Sequence, residues 1–531
     1  MRMEPFPEAP AMSKSSTTRP RTPAVPRPRL RWRYVLGAVT AIYVVYCYIF
    51  SLPLLARPLP QYTGPYPVGA VDIETPTTEP RVIDEAVFED TKENAFELET
   101  VLFTLYYPAA QHAVSHKPKH YWIPRPISAT GEGYAKFAHI NKYFIGKLVT
   151  GGLATMLGSI EIPAQVDVPL ADLVSIATET PEIRDDMKEV EKVIQIQKGG
   201  HPVIVFSHGM ASRRTDYTHY AGELASRGYV VALLEHRDGS CPGSVILRPG
   251  YADQVRMTFD ASEVGTPSGR TFTVDEFKRA QLDFREAEIE EVVHILQLIN
   301  EGHGKDVYKK NSRGEGADLG NWKGRLNTDE MVVAGHSYGA TGAMQALRGG
   351  PSAKRPFRGG IILDPGKSSG RLNDDIRVPV LVVHSNSWSS RSSVFYGRAH
   401  FDAVFDIVEN NVLRGTPSWF ATSLGTAHPS VTDAPLIEPL ILSWTTGARI
   451  DVDEALRQYV HVTEDFLWFL TTGGRRGLLA ERAEFPRYDE GSGFGVWKPG
   501  QNGSVEGGGG GEVDGPWFDW RRYWQVHVSP N

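Results

Sequence analysis

The chain has 531 residues, of which 41% are hydrophobic and 22% are charged. These fractions are typical of globular proteins and argue against a disordered, collagenous or multi-span membrane protein. The formal net charge of −7 provides no basic field, so a nucleic-acid partner is not expected. The only cysteines, Cys47 and Cys241, argue against a disulfide framework or a multi-cysteine metal site.

A basic, Pro- and Arg-rich tail of residues 1–33 precedes an uncharged apolar stretch at 34–56. This stretch has the length of a membrane-spanning helix, about 20 residues, and the basic flank favours a cytosolic N-terminus. We therefore predict a single-pass type II membrane anchor, with the large domain lumenal or extracellular. Asn502 would then be available for glycosylation. A cleavable signal peptide and a buried core helix are the alternatives.

Between residues 61 and 470, short β-branched runs alternate with helical stretches. This alternation predicts an α/β fold with a mostly parallel central sheet and helices on both faces. The predicted strands are 101–106, 203–206, 230–234, 331–334, 360–363, 380–383 and 419–422. The predicted helices are 216–226, 274–300 and 453–470.

Two further stretches flank or interrupt this alternation. Segment 301–319 is predicted to be a polar surface insertion. Residues 471–531 form a predicted tail, with a flexible Gly-rich linker at 503–516 and a terminal aromatic patch expected to dock on the domain. No chemistry is expected in this tail.

The sequence Gly335-His336-Ser337-Tyr338-Gly339 is a G-x-S-x-G pattern that directly follows a predicted strand and precedes a small-residue stretch. Such a strained strand-to-helix turn needs glycine on both sides of the serine and exposes the serine hydroxyl at the edge of the sheet. Ser337 is therefore the predicted nucleophile. The alternative is an ordinary serine in a glycine-rich turn.

A serine nucleophile needs a histidine base and an orienting carboxylate, which follow it in the order serine, acid, histidine in this type of fold. Asp364 directly follows a predicted strand, whereas Asp374 and Asp375 lie in a polar loop. His428 follows the last predicted strand of the core and is the predicted base. His384 also ends a strand and is the rival.

The loop after the strand at 203–206 is expected to supply a second donor to the reaction's oxyanion. Gly209 allows the backbone to approach closely, so the N–H groups of Met210 and Tyr338 are the predicted pair of donors. His208 and His236 precede the nucleophile and are expected to be structural. Without a carboxylate-rich metal loop, neither a metal nor another cofactor is expected.

Several segments together resemble the platelet-activating-factor acetylhydrolases of the plasma and intracellular type II kind, fungal relatives included. The similarity covers roughly residues 61–470. The matching segments are Tyr62-Thr-Gly-Pro-Tyr-Pro-Val68, Asp72-Ile-Glu74, Tyr106-Tyr-Pro108, Trp122-Ile-Pro124, Phe206-Ser-His-Gly209, Glu235-His-Arg-Asp238, Trp322-Lys-Gly-Arg325, Gly335-His-Ser-Tyr-Gly339 and Leu363-Asp364. Ala340 and Pro365-Gly366 depart from the usual pattern of the family.

This resemblance implies an α/β-hydrolase fold and calcium-independent hydrolysis of the sn-2 ester of phospholipids that carry short or oxidised acyl chains. It maps the catalytic triad to Ser337, Asp364 and His428, and the oxyanion donors to Met210 and Tyr338. A general carboxylesterase or polyester hydrolase with the same triad is one alternative. A membrane-tethered, non-catalytic binding protein on a hydrolase scaffold is another.

The segment 134–157 is unusually apolar for a surface excursion. Its apolar residues fall near one face of a helix or broken helix. They are expected either to pack in the core or to border the pocket mouth and hold the long sn-1 chain of a lipid. These residues are Tyr134, Phe137, Ala138, Phe144, Ile145, Leu148 and Val149.

Overall fold

The computed structural model describes residues 32–49, 53, 56–140, 143–172, 199–248, 250–439, 445–489 and 522–531. The chain divides into an N-terminal unit that ends at Ser51 and a main unit that begins at Leu52. The basic tail before residue 32, the linker at 503–516 and Asn502 lie outside the described residues.

The N-terminal unit contains one described helix, α1 (Trp32–Ile49). It overlaps the predicted membrane anchor at 34–56, of which residues 50–52, 54 and 55 lie outside the described part. Among the helices of the described residues, none combines the length and the apolar character that crossing a membrane requires.

The described part of the main unit contains fifteen strands, of which eleven form one sheet. The strands are β1 (Val68–Phe88), β2 (Asn94–Pro108), β3 (Gln165–Val166), β4 (His201–Ser207), β5 (Val230–Glu235), β6 (Gly243–Ile246), β7 (Gln254–Met257), β8 (Val264–Gly265), β9 (Leu326–His336), β10 (Phe357–Leu363), β11 (Val380–Ser385), β12 (Val394–Phe395), β13 (Arg398–Ala399), β14 (Ser418–Ser423) and β15 (Trp524–Val528).

The strand order of the large sheet is β15-β14-β11-β10-β9-β4-β5-β2-β1-β3, with β8 paired to β1. Six neighbours, β14, β11, β10, β9, β4 and β5, run parallel. The strand β15 pairs antiparallel with β14, and β2 pairs antiparallel with both β5 and β1, whereas β3 pairs parallel with β1. The largely parallel centre confirms the predicted α/β architecture.

Helices cover both faces of the sheet. They are α2 (Ile127–Phe137), α3 (Tyr143–Leu157), α4 (Thr218–Ala225), α5 (Val274–Leu298), α6 (Gly304–Lys310), α7 (Tyr338–Ala346), α8 (Asn386–Ser390), α9 (His400–Leu413), α10 (Ala434–Ile437) and α11 (Val452–Thr472). All seven predicted strands and all three predicted helices are confirmed, but β2 and β9 begin well before their predicted starts, at Asn94 and Leu326.

Alternate residues of each parallel strand point to opposite faces and enter two separate cores. Ile204 and Phe206 of β4 pack with α4 and α11 on one face. Val203 and Val205 of the same strand pack with α5, α7 and α9 on the other face. Burial on both faces explains why these strands have continuous apolar sequences.

Segments outside the predicted alternation also contribute to the main unit. Segment 301–319, predicted to be a polar surface insertion, is mostly exposed; it contains the short helix α6 and buries Val307 and Leu319. The predicted tail after residue 470 contributes β15 to the sheet, where Trp524 is buried. The expected docking of the terminal aromatic patch is therefore confirmed for Trp524, and the tail is not a separate appendage.

The strand order reverses at β4, which lies between β5, the next strand in the chain, and β9. In open α/β sheets, ligands bind in the crevice outside the carboxyl ends of the strands at such a point. The carboxyl ends of β4, β9 and β10 are Ser207, His336 and Leu363. Ser337 and Asp364 directly follow the ends of β9 and β10, and Met210 lies in the loop after β4.

Candidate active site

Ser337 lies on a sharp turn between β9 and α7, with φ 58° and ψ −120°. A Cβ atom on Gly335 would lie 2.2 Å from the carbonyl oxygen of Gly339, and one on Gly339 would lie 1.9 Å from that of Ser207. Neither position has room for a side chain. The two glycines therefore permit the strained turn that presents the serine hydroxyl at the crevice.

The structure brings the predicted serine, histidine and carboxylate together. Ser337 Oγ lies 3.1 Å from His428 Nε2, and His428 Nδ1 lies 2.8 Å from Asp364 Oδ2. Asp364 is buried, and its two oxygens also accept hydrogen bonds from the backbone N–H and the hydroxyl of Ser385. A proton on Nδ1 of His428 would leave Nε2 free to accept the serine proton.

Two aromatic rings flank the imidazole of His428. The indole of Trp388 stacks on it at a centroid distance of 4.0 Å and an interplanar angle of 10°. Trp388 is held in place by its Nε1, which donates to the carbonyl of Pro365 at 3.0 Å. The ring of His336 lies 4.5 Å away, and burial lowers the pKa of His336 well below its usual value. These contacts restrict the orientation of the His428 ring.

Sequence reasoning missed Trp388. It lies in the short helix α8, where the surrounding residues are small and polar and show no amphipathic period. Lys367 Nζ lies 4.6 Å from the centre of the Trp388 ring and donates to the Trp388 carbonyl. Burial lowers the pKa of Lys367 to about 8. The only available signal was a tryptophan a few residues after a strand end.

The backbone N–H groups of Met210 and Tyr338 are the predicted oxyanion donors. Within the described residues, neither group donates a hydrogen bond to a protein acceptor. Met210 lines a cleft of about 220 Å³ together with Ser337 and His428, and Tyr338 directly follows Ser337. Tyr217 joins the two loops, since its hydroxyl accepts from Gly209 N–H at 3.1 Å and lies 2.9 Å from His336 Nδ1.

A fully buried guanidinium supports the loop that carries Met210. Arg285 pairs with Asp238 at 2.7 Å and donates to the carbonyl of His208 at 2.7 Å. Its guanidinium carbon lies 4.4 Å from the centre of the Tyr338 ring. Arg285 therefore connects both predicted donor segments, and it neutralises a carboxylate that is itself completely buried.

A second buried pair lies beside Arg285. His236 Nε2 lies 2.7 Å from Ser207 Oγ, and His236 Nδ1 lies 2.6 Å from Glu288 Oε2. Burial raises the pKa of Glu288 and lowers that of His236, so the pair favours its uncharged form. Burial also lowers the pKa of His208 to about 4. These contacts fit the structural roles expected of His208 and His236.

The rival residues lie elsewhere. His384 is completely buried, and its Nδ1 lies 3.3 Å from Ser389 Oγ rather than near Ser337. Asp375 is partly exposed and pairs with Arg377, and Asp374 is exposed. The structure therefore places neither the alternative base nor the alternative acids in the crevice.

Within the described residues, one group of side chains has the spacing of a metal site. His336, Asp364 and His428 offer ligand atoms within 4.8 Å of one another. Asp364 and His428 already share a hydrogen bond, and His428 also faces the serine hydroxyl. An ion bound by these three side chains would have to displace the hydrogen bonds of His428.

Comparison with known proteins identifies the family. The family model for platelet-activating factor acetylhydrolase, isoform II, matches residues 55–173 and 173–474. The chain is 28% identical to platelet-activating factor acetylhydrolase from Cavia porcellus over 58% of this chain and 55% of that protein. The identity to the protein of that name from Canis lupus familiaris is 26%, over 58% and 54%.

The chain thus aligns with about half the length of these two relatives. A solved structure of a ferulic acid esterase from Streptomyces cinnamoneus is 16% identical to this chain, and the similarity covers 80% of this chain and 96% of that chain. The TM-score of 0.43 is too low to support a conclusion. The family model, by contrast, covers most of the main unit. The chain belongs to the isoform II family of platelet-activating factor acetylhydrolases.

Proposed function

We propose that this protein is a carboxylic ester hydrolase in which Ser337, His428 and Asp364 act as a catalytic triad. The observation that carries the proposal is the unbroken path from Ser337 Oγ through His428 to Asp364, at 3.1 and 2.8 Å, on a strained turn that opens into a cleft. Membership of the isoform II family supports the same reaction class.

In this proposal, Ser337 Oγ attacks the ester carbonyl while His428 Nε2 accepts the serine proton. Asp364 stabilises the resulting imidazolium. The N–H groups of Met210 and Tyr338 stabilise the oxyanion, and His428 then returns the proton to the leaving alcohol. Water, deprotonated by the same imidazole, attacks the acyl-enzyme and releases the carboxylic acid and the free serine.

The proposed substrates are platelet-activating-factor-like phospholipids with an acetyl, short or oxidised acyl chain at sn-2. The cleft at Ser337 measures about 220 Å³, below the roughly 300–1,000 Å³ that is typical of small-molecule pockets. A short acyl group fits this space better than an oleoyl chain. Family membership supports the phospholipid class.

The helices α2 and α3 support an approach from a lipid surface. Tyr134 lines the cleft, whereas Phe137, Phe144 and Leu148 are exposed, with Phe144 76% accessible. The apolar side chains of segment 134–157 are therefore not all core residues. An exposed apolar face beside the cleft fits an enzyme that takes a lipid with its long sn-1 chain near a membrane.

The direct test is turnover of glycerophosphocholines that share one sn-1 chain and differ at sn-2. We expect kcat/KM to fall steeply from acetyl to oleoyl and to be unaffected by a calcium chelator. Equal rates along the series would favour a general phospholipase. Rapid hydrolysis of soluble short esters without a preference for phospholipids would favour a general carboxylesterase.

The location is a separate proposal: the segment 34–56 anchors the protein and leaves the main unit lumenal or extracellular. The basic tail before this segment and the exposed apolar residues Leu36, Ile42 and Ile49 of α1 support it. In sealed microsomes, the main unit should resist an added protease until detergent is present. Digestion without detergent would contradict the proposal.

A further inference from the structure

A second cavity, of about 390 Å³, shares Met210 with the cleft at Ser337. Its volume falls in the range of small-molecule sites, roughly 300–1,000 Å³. The cavity lies where α2 and α5 meet the loop after β7, and it combines charged and aromatic side chains. The residues that matter here are Lys136, Phe259, Asp260, Glu263, Phe277 and Lys278.

Lys278 provides a positive charge close to the candidate active site. Its Nζ lies 5.0 Å from the ring centre of Tyr338, the residue directly after Ser337, and 3.4 Å from Gln281 Oε1. Among the described residues, no carboxylate oxygen lies within 4.0 Å of this ammonium. Burial lowers its pKa, as expected for a cation that lacks a close counter-ion.

The opposite charge lies at Asp260, which is exposed at the rim of the cavity. One of its oxygens accepts hydrogen bonds from the backbone N–H and the hydroxyl of Ser262, at 2.8 and 2.6 Å. The other acidic residue, Glu263, is already paired with Lys136 at 2.5 Å. Among the Asp, Glu and Lys side chains that line this cavity in the described part of the chain, Asp260 and Lys278 are the two without an ion-pair partner.

Aromatic side chains complete the wall beside Asp260. Phe259 and Phe277 both line the cavity, and their rings meet edge to face at 5.8 Å. Quaternary ammonium groups bind aromatic faces, and a nearby carboxylate adds to that attraction. A phosphate group instead needs a cation such as an unpaired lysine.

We propose that this cavity binds the phosphocholine headgroup of the substrate, with Lys278 contacting the phosphate and Asp260, Phe259 and Phe277 contacting the trimethylammonium group. The inference rests on the proposed function. In a glycerophospholipid the phosphate lies only a few bonds from the carbon that bears the sn-2 ester. Lys278 contacts the ring of Tyr338, which directly follows Ser337 in the chain, and Met210 lines both this cavity and the cleft at Ser337.

The first test compares an sn-2 acetyl glycerophosphocholine with the corresponding acetylglycerol, which has no phosphate. Lys278→Met should lower the ratio of their kcat/KM values about tenfold, since a charge-assisted contact is lost. Lys278→Arg should bring this ratio most of the way back to that of the parent protein. The control Lys354→Met, at an exposed lysine outside the cavity, should have the same ratio as the parent protein. An unchanged ratio in Lys278→Met would overturn the assignment of the phosphate.

The second test concerns the choline. Asp260→Asn retains an oxygen that can accept from Ser262 but removes the charge. We expect it to reduce the preference for phosphocholine over a plain phosphate headgroup about threefold or more, on the scale of an exposed cation contact. An equal preference in the variant and the parent protein would show that Asp260 does not contact the ammonium.

The third test separates the subsite from the reaction. Binding of glycerophosphocholine, which has no ester, is measured by calorimetry with the full chain carrying Ser337→Ala, alone or together with Lys278→Met. Binding that the Lys278 change weakens about tenfold supports the subsite even if phospholipid turnover is absent. Phospholipid turnover without such binding would support the proposed function and overturn the subsite.

Discussion

His384 lies near the end of β11, and His428 lies in the loop after the neighbouring parallel strand β14, but their surroundings have little in common. The His428 side chain is 30% exposed and contacts both Asp364 and Ser337. His384 is completely buried and lies against the rings of His400 and Phe420. A position at the end of a strand is therefore not sufficient to make a histidine a candidate base.

The alternation of side chains along β11 accounts for the difference. His384 has the same parity as Val380 and Val382, which pack on the face covered by α9. Ser385 has the opposite parity and donates to Asp364. His428 instead lies in a loop, which can carry its ring across the strand ends to Ser337.

The largest expected effect is on kcat/KM, which substitution of His428 should lower strongly and substitution of His384 should leave nearly unchanged. His428→Ala should lower kcat/KM by about 10⁴-fold or more, and Ser337→Ala should do the same, since triad members act as a unit. His384→Gln should keep kcat/KM within about threefold of the parent value, because the His384 side chain contacts neither Ser337 nor Asp364. Initial rates on a soluble acetyl ester measure all three. A greater loss in His384→Gln than in His428→Ala would reverse the assignment.

Asp364 provides the next largest effect. Asp364→Asn preserves the shape but removes the charge that orients His428, and we expect a loss of about 10³- to 10⁴-fold in kcat. Asp375→Asn, at the partly exposed loop carboxylate, is the matched control, and its kcat should be nearly unchanged. Comparable losses in both variants would mean that the acid has been misassigned.

Trp388 tests whether the stacked ring contributes to the environment of His428. Trp388→Ala should lower kcat about 3- to 10-fold, the scale of one aromatic contact, and Trp388→Phe should recover part of it. KM should change less than kcat, because Trp388 contacts the imidazole of His428. A loss confined to thermal stability, with kcat unchanged, would argue for a purely structural role.

The smallest effect concerns stability rather than activity. Burial lowers the pKa values of His400 and His527 to about 4, from a usual value of 6.5. Between these values the unfolded chain binds more protons, so the free energy of unfolding falls as the pH drops. Each group contributes on the order of 1 kcal/mol per pH unit.

Urea unfolding between pH 7 and pH 4 measures this dependence. His527→Gln should flatten it by about one group's contribution, while the amide can still bond to Thr422, which His527 contacts at 2.7 Å. An identical slope in the variant would mean that His527 keeps its ordinary pKa in the folded protein.

Sequence periodicity predicted the parallel half of the sheet because strands buried on both faces have continuous apolar runs. The ends of those strands then indicated where Ser337, Asp364 and His428 would meet. The same reasoning missed β1, whose 21 residues include prolines and several exposed polar side chains. It also missed Trp388 and Arg285, since stacking and buried ion pairs depend on contacts between residues far apart in the chain.

The strand β15 has a practical consequence for work on this protein. It covers the edge of β14, and Thr422 and His527, which are 105 positions apart in the sequence, lie in contact across that boundary. Shortening the chain after residue 489 would expose the hydrogen-bonding edge of β14, and open edges promote association between molecules. Expression designs that trim the glycine-rich region should therefore delete internally and rejoin the final ten residues, rather than stop before them.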